Sequence, residues 1–309
     1  MDFDRREGEM DWITGIQNAI NYIEDHLTEE IDYEQAARES FSSSYHFQRV
    51  FSILSGYTLG EYIRCRRLSL AGTELATGKE KVIDIAAKYG YESPDSFAKA
   101  FQKFHGITPS QARGNGAMLK NFSRLSFKIT LEGGSIMNYK IVEREEQVLM
   151  GYKTRFSGTP DKRNHQDHAF AVSTRLHQCV LQGMAHDCDT VYEIITNLGD
   201  DGYDYYWASW LDPIMLGHLV DYLGGFAKEF EKVTIPAGKY LVCETERCEY
   251  PTDVLEDLRR KAVTEWMPSA GYELADTPEI DIIHWFYKYG DEKVNSSRYT
   301  ELWLPIVKK

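Results

Sequence analysis

The chain has 309 residues, about two domains' worth at roughly 100–200 residues each. Hydrophobic residues make up 42% and charged residues 27%, ordinary values for a globular protein that exclude disorder over most of the length. No apolar run approaches the ~20 residues needed to span a bilayer, and the acidic start MDFDRREGEM has no signal-peptide core. The 5 cysteines include no CxxC. That excludes a disulfide scaffold and makes a reducing cytoplasm the expected location.

Net charge is −13, which by itself argues against a nucleic-acid partner. Its distribution argues otherwise. Residues 1–42 carry 3 Lys/Arg and 12 Asp/Glu, whereas residues 43–115 carry 10 and 6. The one basic stretch therefore lies at 43–115, followed by an acidic remainder.

That stretch contains a repeat at an offset of 50 residues, read without a gap. Ala36-Ala37 falls on Ala86-Ala87, Phe41 on Tyr91, Ser43 on Ser93, Phe47 on Phe97, Arg49 on Lys99, Phe51 on Phe101, Gly56 on Gly106 and Thr58 on Thr108. In the second copy Val82, Ile85, Ala86 and Tyr89 have helical spacing. Gly90 stops that helix, Ser93 caps the next, and Pro94 occupies its first turn. Each copy thus predicts two short helices joined by a tight turn, the helix-turn-helix layout. Opposite its aromatic stripe, the second helix presents Ser44, Tyr45, Gln48 and Arg49 in copy one. In copy two it presents Asp95, Ser96, Lys99 and Lys103. Arg and Gln can pair with base edges in a major groove, and Lys can reach guanine or phosphate. The alternative for either helix alone is an ordinary solvated face; duplication in register favours double-stranded DNA as partner. Gly60–Gly78 between the copies predicts a helix of about 17 residues, roughly 25 Å long. It could hold two recognition helices about one DNA turn apart. Arg64, Arg66 and Arg67 on it are either phosphate contacts or solvated charges.

Residues 10–113 resemble the DNA-binding domain of AraC/XylS-type transcription regulators. The resemblance rests on SxYHFQRVFxxxxGxTLGEYIRxRRL at 43–68 and on VIDIAAKYGYES with the F-x-x-x-F-x-K-x-x-G-I-T-P run that ends at 109. It implies base contacts from Tyr45, Gln48, Arg49, Asp95, Ser96 and Lys99, with RNA polymerase as a further candidate partner. Asp95 departs from a basic pattern, since a carboxylate there accepts from cytosine or repels phosphate. Seven acidic side chains between Glu24 and Glu39 would weaken salt-sensitive, non-specific binding.

A polar GNGAMLKN stretch after Arg113 predicts a flexible boundary. The expected domains are 1–115, a linker with a first strand at 116–136, and 137–309. Strands are expected at Leu125–Leu131, Tyr139–Val142, Val148–Phe156, Val191–Asn197, Tyr205–Trp210, Glu229–Ile235, Lys239–Glu244, Ile280–Tyr287 and Tyr299–Val307. Helices are expected at His168–Gln182 and Pro251–Trp266. This order predicts an α+β sheet with helices on one face.

On the last strand, Leu302, Leu304 and Ile306 share one face, leaving Glu301 and Trp303 on the other. A carboxylate beside an indole is a candidate cation-binding feature. Tyr205, Tyr206, Trp207, Trp210, Trp285 and Tyr287 lie on neighbouring strands, as a pocket lining or as core. Residues 137–309 resemble the GyrI-like effector-binding domain also found in BmrR-type multidrug regulators, through YKIVER at 139–144, IPAGKY at 235–240, WMPSAGYEL at 266–274 and ELWLPI at 301–306. The resemblance implies a duplicated βαββ fold with a pocket between its halves. It also implies a pocket-facing glutamate at Glu301 and a small, apolar or cationic effector. The expected ligand set is Glu301, Trp303, Tyr206, Trp207, Trp210, Trp285 and Tyr287.

His165, His168, His177, Cys179, His186 and Cys188 crowd one stretch without zinc spacing, and the default is surface histidines and small buried cysteines. Cys243 and Cys248 read as packing. No cofactor motif occurs. The expected function is an effector-controlled, non-enzymatic bacterial transcription regulator. The alternative is a small-molecule-binding protein or hydrolase with a vestigial DNA-binding domain, using Glu301 and a nearby tyrosine for acid–base chemistry.

Overall fold

The computed structural model describes residues 3–114, 116–126, 136–162, 164–286 and 290–309. These form two compact units, one helical and one built on a sheet. No helix among them is long and apolar enough to cross a membrane.

The helical unit contains α1 (Phe3–Asp25), α2 (Tyr33–Glu39), α3 (Ser44–Ser55), α4 (Leu59–Thr77), α5 (Val82–Lys88), α6 (Pro94–His105) and α7 (Pro109–Ala112). Helix α1 was not anticipated, although Ile16, Ala19, Ile20 and Ile23 have the helical spacing and are all buried. Capping boxes start α4 at Thr58 with Glu61 and α7 at Thr108 with Gln111, again 50 residues apart.

The ungapped repeat needs one correction. Helices α3 and α6 are offset by 50 residues, but α2 and α5 by 49. Tyr91 N–H donates to Ala86 and Ser42 N–H to Ala37, so Ser42, not Phe41, is the partner of Tyr91. The left-handed position that ends the first helix of each copy is Gly90, φ 79°, and Phe41, φ 55°. The extra residue lies in the turn of copy two, between Gly90 and the start of α6. The chain after α7 also differs from the flexible boundary expected of it. Ser69 donates to Asn121 (2.8 Å) and Arg66 to the Phe122 carbonyl (2.6 Å), while Lys120 N–H donates to His105 Nδ1 (3.2 Å). The Phe122 ring packs edge-on to Tyr57 at 5.2 Å. Residues 117–126 therefore travel with the helical unit. The strand expected over Leu125–Leu131 falls largely outside the described residues, and Leu125 and Ser126 are not strand.

The sheet unit runs β1 (Tyr139–Arg144), β2 (Gln147–Phe156), α8 (Asn164–Ser173), α9 (Arg175–Met184), β3 (Thr190–Gly199), β4 (Gly202–Ser209), α10 (Pro213–Gly217), α11 (Leu219–Leu223), β5 (Glu231–Ile235), β6 (Gly238–Glu244), α12 (Leu255–Lys261), β7 (Tyr272–Leu274), β8 (Glu279–His284) and β9 (Tyr299–Lys308). The helix expected over His168–Gln182 is broken at Thr174, whose hydroxyl donates to the Phe170 carbonyl (2.6 Å). Gly202, φ 139°, opens β4 where an added Cβ would lie 1.9 Å from the Phe156 carbonyl oxygen, so no other residue fits.

The sheet is antiparallel and its order is β1-β6-β9-β8-β3-β4-β2-β5, with β7 on β9. That order is symmetric about the β3–β8 pair: β2, β3 and β4 on one side answer β6, β8 and β9 on the other. The duplicated βαββ expectation holds, with one addition. The leading strand of each half pairs with the other half, β1 on β6 and β5 on β2. Helices cover one face. There Arg259 of α12, 2% exposed, is bound by three buried carboxylates: Asp161 (3.1 Å), Asp281 (3.0 Å) and Glu279 (3.3 Å).

Candidate functional site

The two second helices of the helix-turn-helix copies differ in what they expose. On α6, Phe97 and Phe101 are fully buried while Asp95, Ser96, Lys99 and Lys103 are exposed. Ser93 caps the helix, accepting from Ser96 N–H at 3.2 Å, which fixes where that polar face begins. On α3, Ser44, Tyr45 and Gln48 are half-buried, and Arg49 is 0% exposed. Arg49 is thus the residue of the expected α3 set whose side chain has no exposure.

The arginines of α4 also resolve. Arg64 is exposed. Arg66 makes a two-pronged pair with Glu24, Nε to Oε1 and Nη2 to Oε2, both 2.8 Å. Arg67 donates to the Leu27 (2.8 Å) and Glu29 (2.6 Å) carbonyls. Arg66 and Arg67 thus tie α4 to the chain at and beyond the end of α1. Burial alone would raise the Glu24 carboxyl, but hydrogen bonds from Arg66 and Tyr62 outweigh it and hold the group below its usual range.

In the sheet unit, strand register decides which residues share a face. Glu244, Glu301, Ile282, Tyr192 and Ala208 lie in one row across β6, β9, β8, β3 and β4. Two residues along, the row Val242, Trp303, Ile280, Ile194 and Tyr206 has the same orientation. The row between them, Cys243, Leu302, Asp281, Glu193 and Trp207, points to the helices. The face expected for Glu301 and Trp303 is the observed one.

On that face a cleft of about 300 Å³ is lined by His186, Asp187, Thr190, Tyr192, Trp210, Ile282, His284 and Glu301. Strands β3 and β8 supply its floor, so it straddles the junction of the two halves. Glu301 is 15% exposed. Its Oε2 accepts from Trp303 Nε1 at 2.7 Å, and its Oε1 lies 3.6 Å from Lys140 Nζ on β1. Thr190 donates its hydroxyl proton to Asp187 (2.5 Å). That leaves Thr190 to accept from His284 Nδ1 at 3.3 Å, which puts the neutral ring's proton on Nδ1. Burial pushes the His284 pKa down, opposed by Glu301 and Asp187. The Thr190 hydrogen bond holds the Asp187 carboxyl below its usual range. His186 packs on Trp210 at 4.4 Å and His284 stacks on Tyr299 at 4.1 Å. Two carboxylates and four aromatic rings thus line one cleft, a combination whose chemistry can take up positive charge and apolar surface together.

Of the expected aromatic set, Trp210 lines this cleft. Trp303 orients Glu301, with the Arg144 guanidinium 5.1 Å above its ring. The others are corrected. Tyr206 shares the face but is 7% exposed, packed in the core beside Ile194 and Ile280. Trp207 and Trp285 have the opposite parity and pack on the helix side, where Trp285 borders a separate cleft with Arg259 and Glu193. Tyr287 lies outside the described residues. The sequence reading missed Tyr192, Ile282 and His284. Their signal was parity: each sits an even number of residues along its strand from a position paired with the Glu301 row. His186 is exposed as expected and also borders the cleft, whereas Cys179 and Cys188, expected to be buried, are exposed. Cys243 is buried as expected, and burial pushes its thiol up to about 12.

Comparison with known proteins bears on both units. Residues 36–115 match the helix-turn-helix domain family and residues 140–306 match the integron-associated effector binding protein family. The HTH-type transcriptional activator AarP of Providencia stuartii is 44% identical over 98 residues, 32% of this chain and 73% of that protein. The regulatory protein SoxS of Salmonella typhimurium is 39% identical over 98 residues, 32% of this chain and 92% of that one. Among solved structures, an integron cassette protein of Vibrio cholerae is similar at 18% identity, covering 55% of this chain and 95% of that one with a TM-score of 0.37. The chain belongs to the AraC-type transcription regulators and carries an effector-binding domain of the integron-associated family in its C-terminal half. It is a ligand-controlled DNA-binding regulator.

Proposed function

We propose that the regulator senses a small aromatic cation in the cleft bordered by Glu301, Asp187, Tyr192 and Trp210, and reads DNA chiefly through α6. The observation that carries the sensor reading is Glu301, a carboxylate 15% exposed and held by an indole N–H with aromatic walls around it. Such a group favours a ligand that brings positive charge and apolar surface together. The cleft acts by binding: its ligand is released unchanged, and occupancy shifts the balance between states of different DNA affinity. On DNA, Lys99 and Lys103 supply phosphate or guanine contacts, Ser96 and Asp95 adjust base preference, and Tyr45 and Gln48 of α3 add a second set of contacts. RNA polymerase is the partner through which promoter occupancy becomes transcription, and the cytoplasm is where these partners meet.

The test is selection of genomic fragments by the purified protein at near-physiological salt, beside a Lys99→Ala/Lys103→Ala variant. The intact protein should enrich a shared sequence. The variant should lose most of that enrichment and show a salt slope about two units shallower. Equal enrichment by both removes α6 from the DNA interface.

A further inference from the structure

Glu244 and Glu301 are directly opposed across β6 and β9. Two carboxylates in that relation repel each other and destabilise the pair of strands. Among the described residues one ammonium pairs with both, while the Arg144 guanidinium over the Trp303 ring acts on Glu301 from further off. Lys140 Nζ, on the exchanged strand β1, lies 3.2 Å from Glu244 Oε1 and 3.6 Å from Glu301 Oε1. The register explains the reach. Lys140 is opposite Val242, so it has the same facing as Glu244 and Glu301 and stands two strands from the latter. Its side chain is 51% exposed, and it is absent from the cleft lining. The ammonium therefore reaches the Glu301 carboxylate from the rim on a flexible stem, while the cleft reaches it from within.

We propose that Lys140 is a tethered competitor for the cationic effector: its ammonium neutralises the Glu301–Glu244 pair until the effector's positive charge replaces it. This rests on the reading of the cleft as a cation site. An effector then gains affinity only to the extent that it outbids an internal cation, which sets a threshold on occupancy and disfavours weakly bound cations. The residue displaced sits on β1, the first described strand after the segment that leaves the helical unit. Occupancy is thereby reported at the strand nearest in sequence to the DNA-binding half. The Lys140 ammonium is held in its charged form by the two glutamates, which outweigh its partial burial.

The experiment uses the full chain, with ethidium as cationic aromatic probe and phenanthridine as its uncharged counterpart, and reads affinity by fluorescence. Lys140→Met keeps the side-chain length and removes the charge. It should tighten ethidium binding about two- to fivefold, the range of a partly exposed ion pair, and leave phenanthridine unchanged. Lys140→Arg should match the parent protein. In a Glu301→Gln background the Lys140→Met gain should shrink towards none. Independently of any ligand, the reductively methylated Lys140 amine, followed by NMR, should titrate at lower pH in Glu301→Gln than in the parent. Unchanged ethidium affinity in Lys140→Met, or an unmoved Lys140 titration, overturns the competitor role while leaving the cleft reading in place. Equal tightening for both probes also overturns it, since charge would not be the cause. Failure of ethidium to bind parent and variant alike removes the cation-site reading and this inference with it.

Discussion

Both halves of the molecule are duplications, but they are put together differently. In the helical unit the copies follow one another and share α4, so each copy's contacts are local and its sequence pattern survives almost in register. In the sheet unit the halves exchange their leading strands, and the cleft forms where β3 meets β8. The second arrangement distributes one site over strands far apart in sequence. A tandem repeat is therefore easy to read and an exchanged one is not, although both obey the same side-chain periodicities.

Three substitutions sharpen this contrast. The largest effect is expected at Arg259. Arg259→Met leaves Asp161, Asp281 and Glu279 buried without their shared cation. Removing one member of such a group costs about 3–5 kcal/mol. Urea unfolding followed by near-ultraviolet dichroism should lose the sheet unit's signal early while the helical signal persists. Simultaneous loss of both signals would show that the two duplications fold as one cooperative block.

Glu24→Gln comes next. It removes the charge from the buried pair that joins α1 to α4, with Arg66 11% and Glu24 7% exposed, at about 1.5–3 kcal/mol, the worth of a hydrogen bond to a charged group. The pH dependence has a definite sign. The Glu24 carboxyl is held below its usual range in the folded protein, so the stability it contributes is fully present above the unfolded pKa and is lost as pH falls through the folded one. The parent should lose helical stability on acidification below about pH 4.5, and Glu24→Gln should lose less over the same interval. Parallel acid curves would remove Glu24 from the linkage.

The smallest effect is a gain. Phe41 occupies a left-handed position (φ 55°) that Gly90 occupies in the other copy, and its side chain is 61% exposed. Relief of that backbone strain is worth about 1 kcal/mol, so Phe41→Gly should raise the unfolding midpoint. A lower midpoint would mean that the exposed ring makes a contact worth more than the strain.

The helix-turn-helix helices, their caps and the strand pattern around Glu301 and Trp303 could be read directly, because each depends on residues within a few positions of one another. The offset of 50 located α3 and α6, and it also matched Thr58 to Thr108, which the structure shows to be the caps of α4 and α7. The one-residue slip between α2 and α5 escaped because Phe41 and Tyr91 are both aromatic, and similarity of side chain outweighed the backbone requirement that pairs Phe41 with Gly90. On β4, Tyr206 and Trp207 looked equivalent as pocket aromatics. Their adjacency in the chain is what separates them, since consecutive strand residues face opposite sides.

The sequence by itself determined the two-domain organisation, the helix-turn-helix pair, the apolar side of each helix and the orientation of Glu301. All of these follow from short-range periodicity and capping chemistry. Tertiary structure decided which residues meet. It committed Arg66 to Glu24, brought Tyr192, His284 and Trp210 to Glu301, and set Lys140 of an exchanged strand against Glu301 and Glu244. Register and strand order fix those meetings, and both are properties of pairings between distant segments that no local pattern encodes.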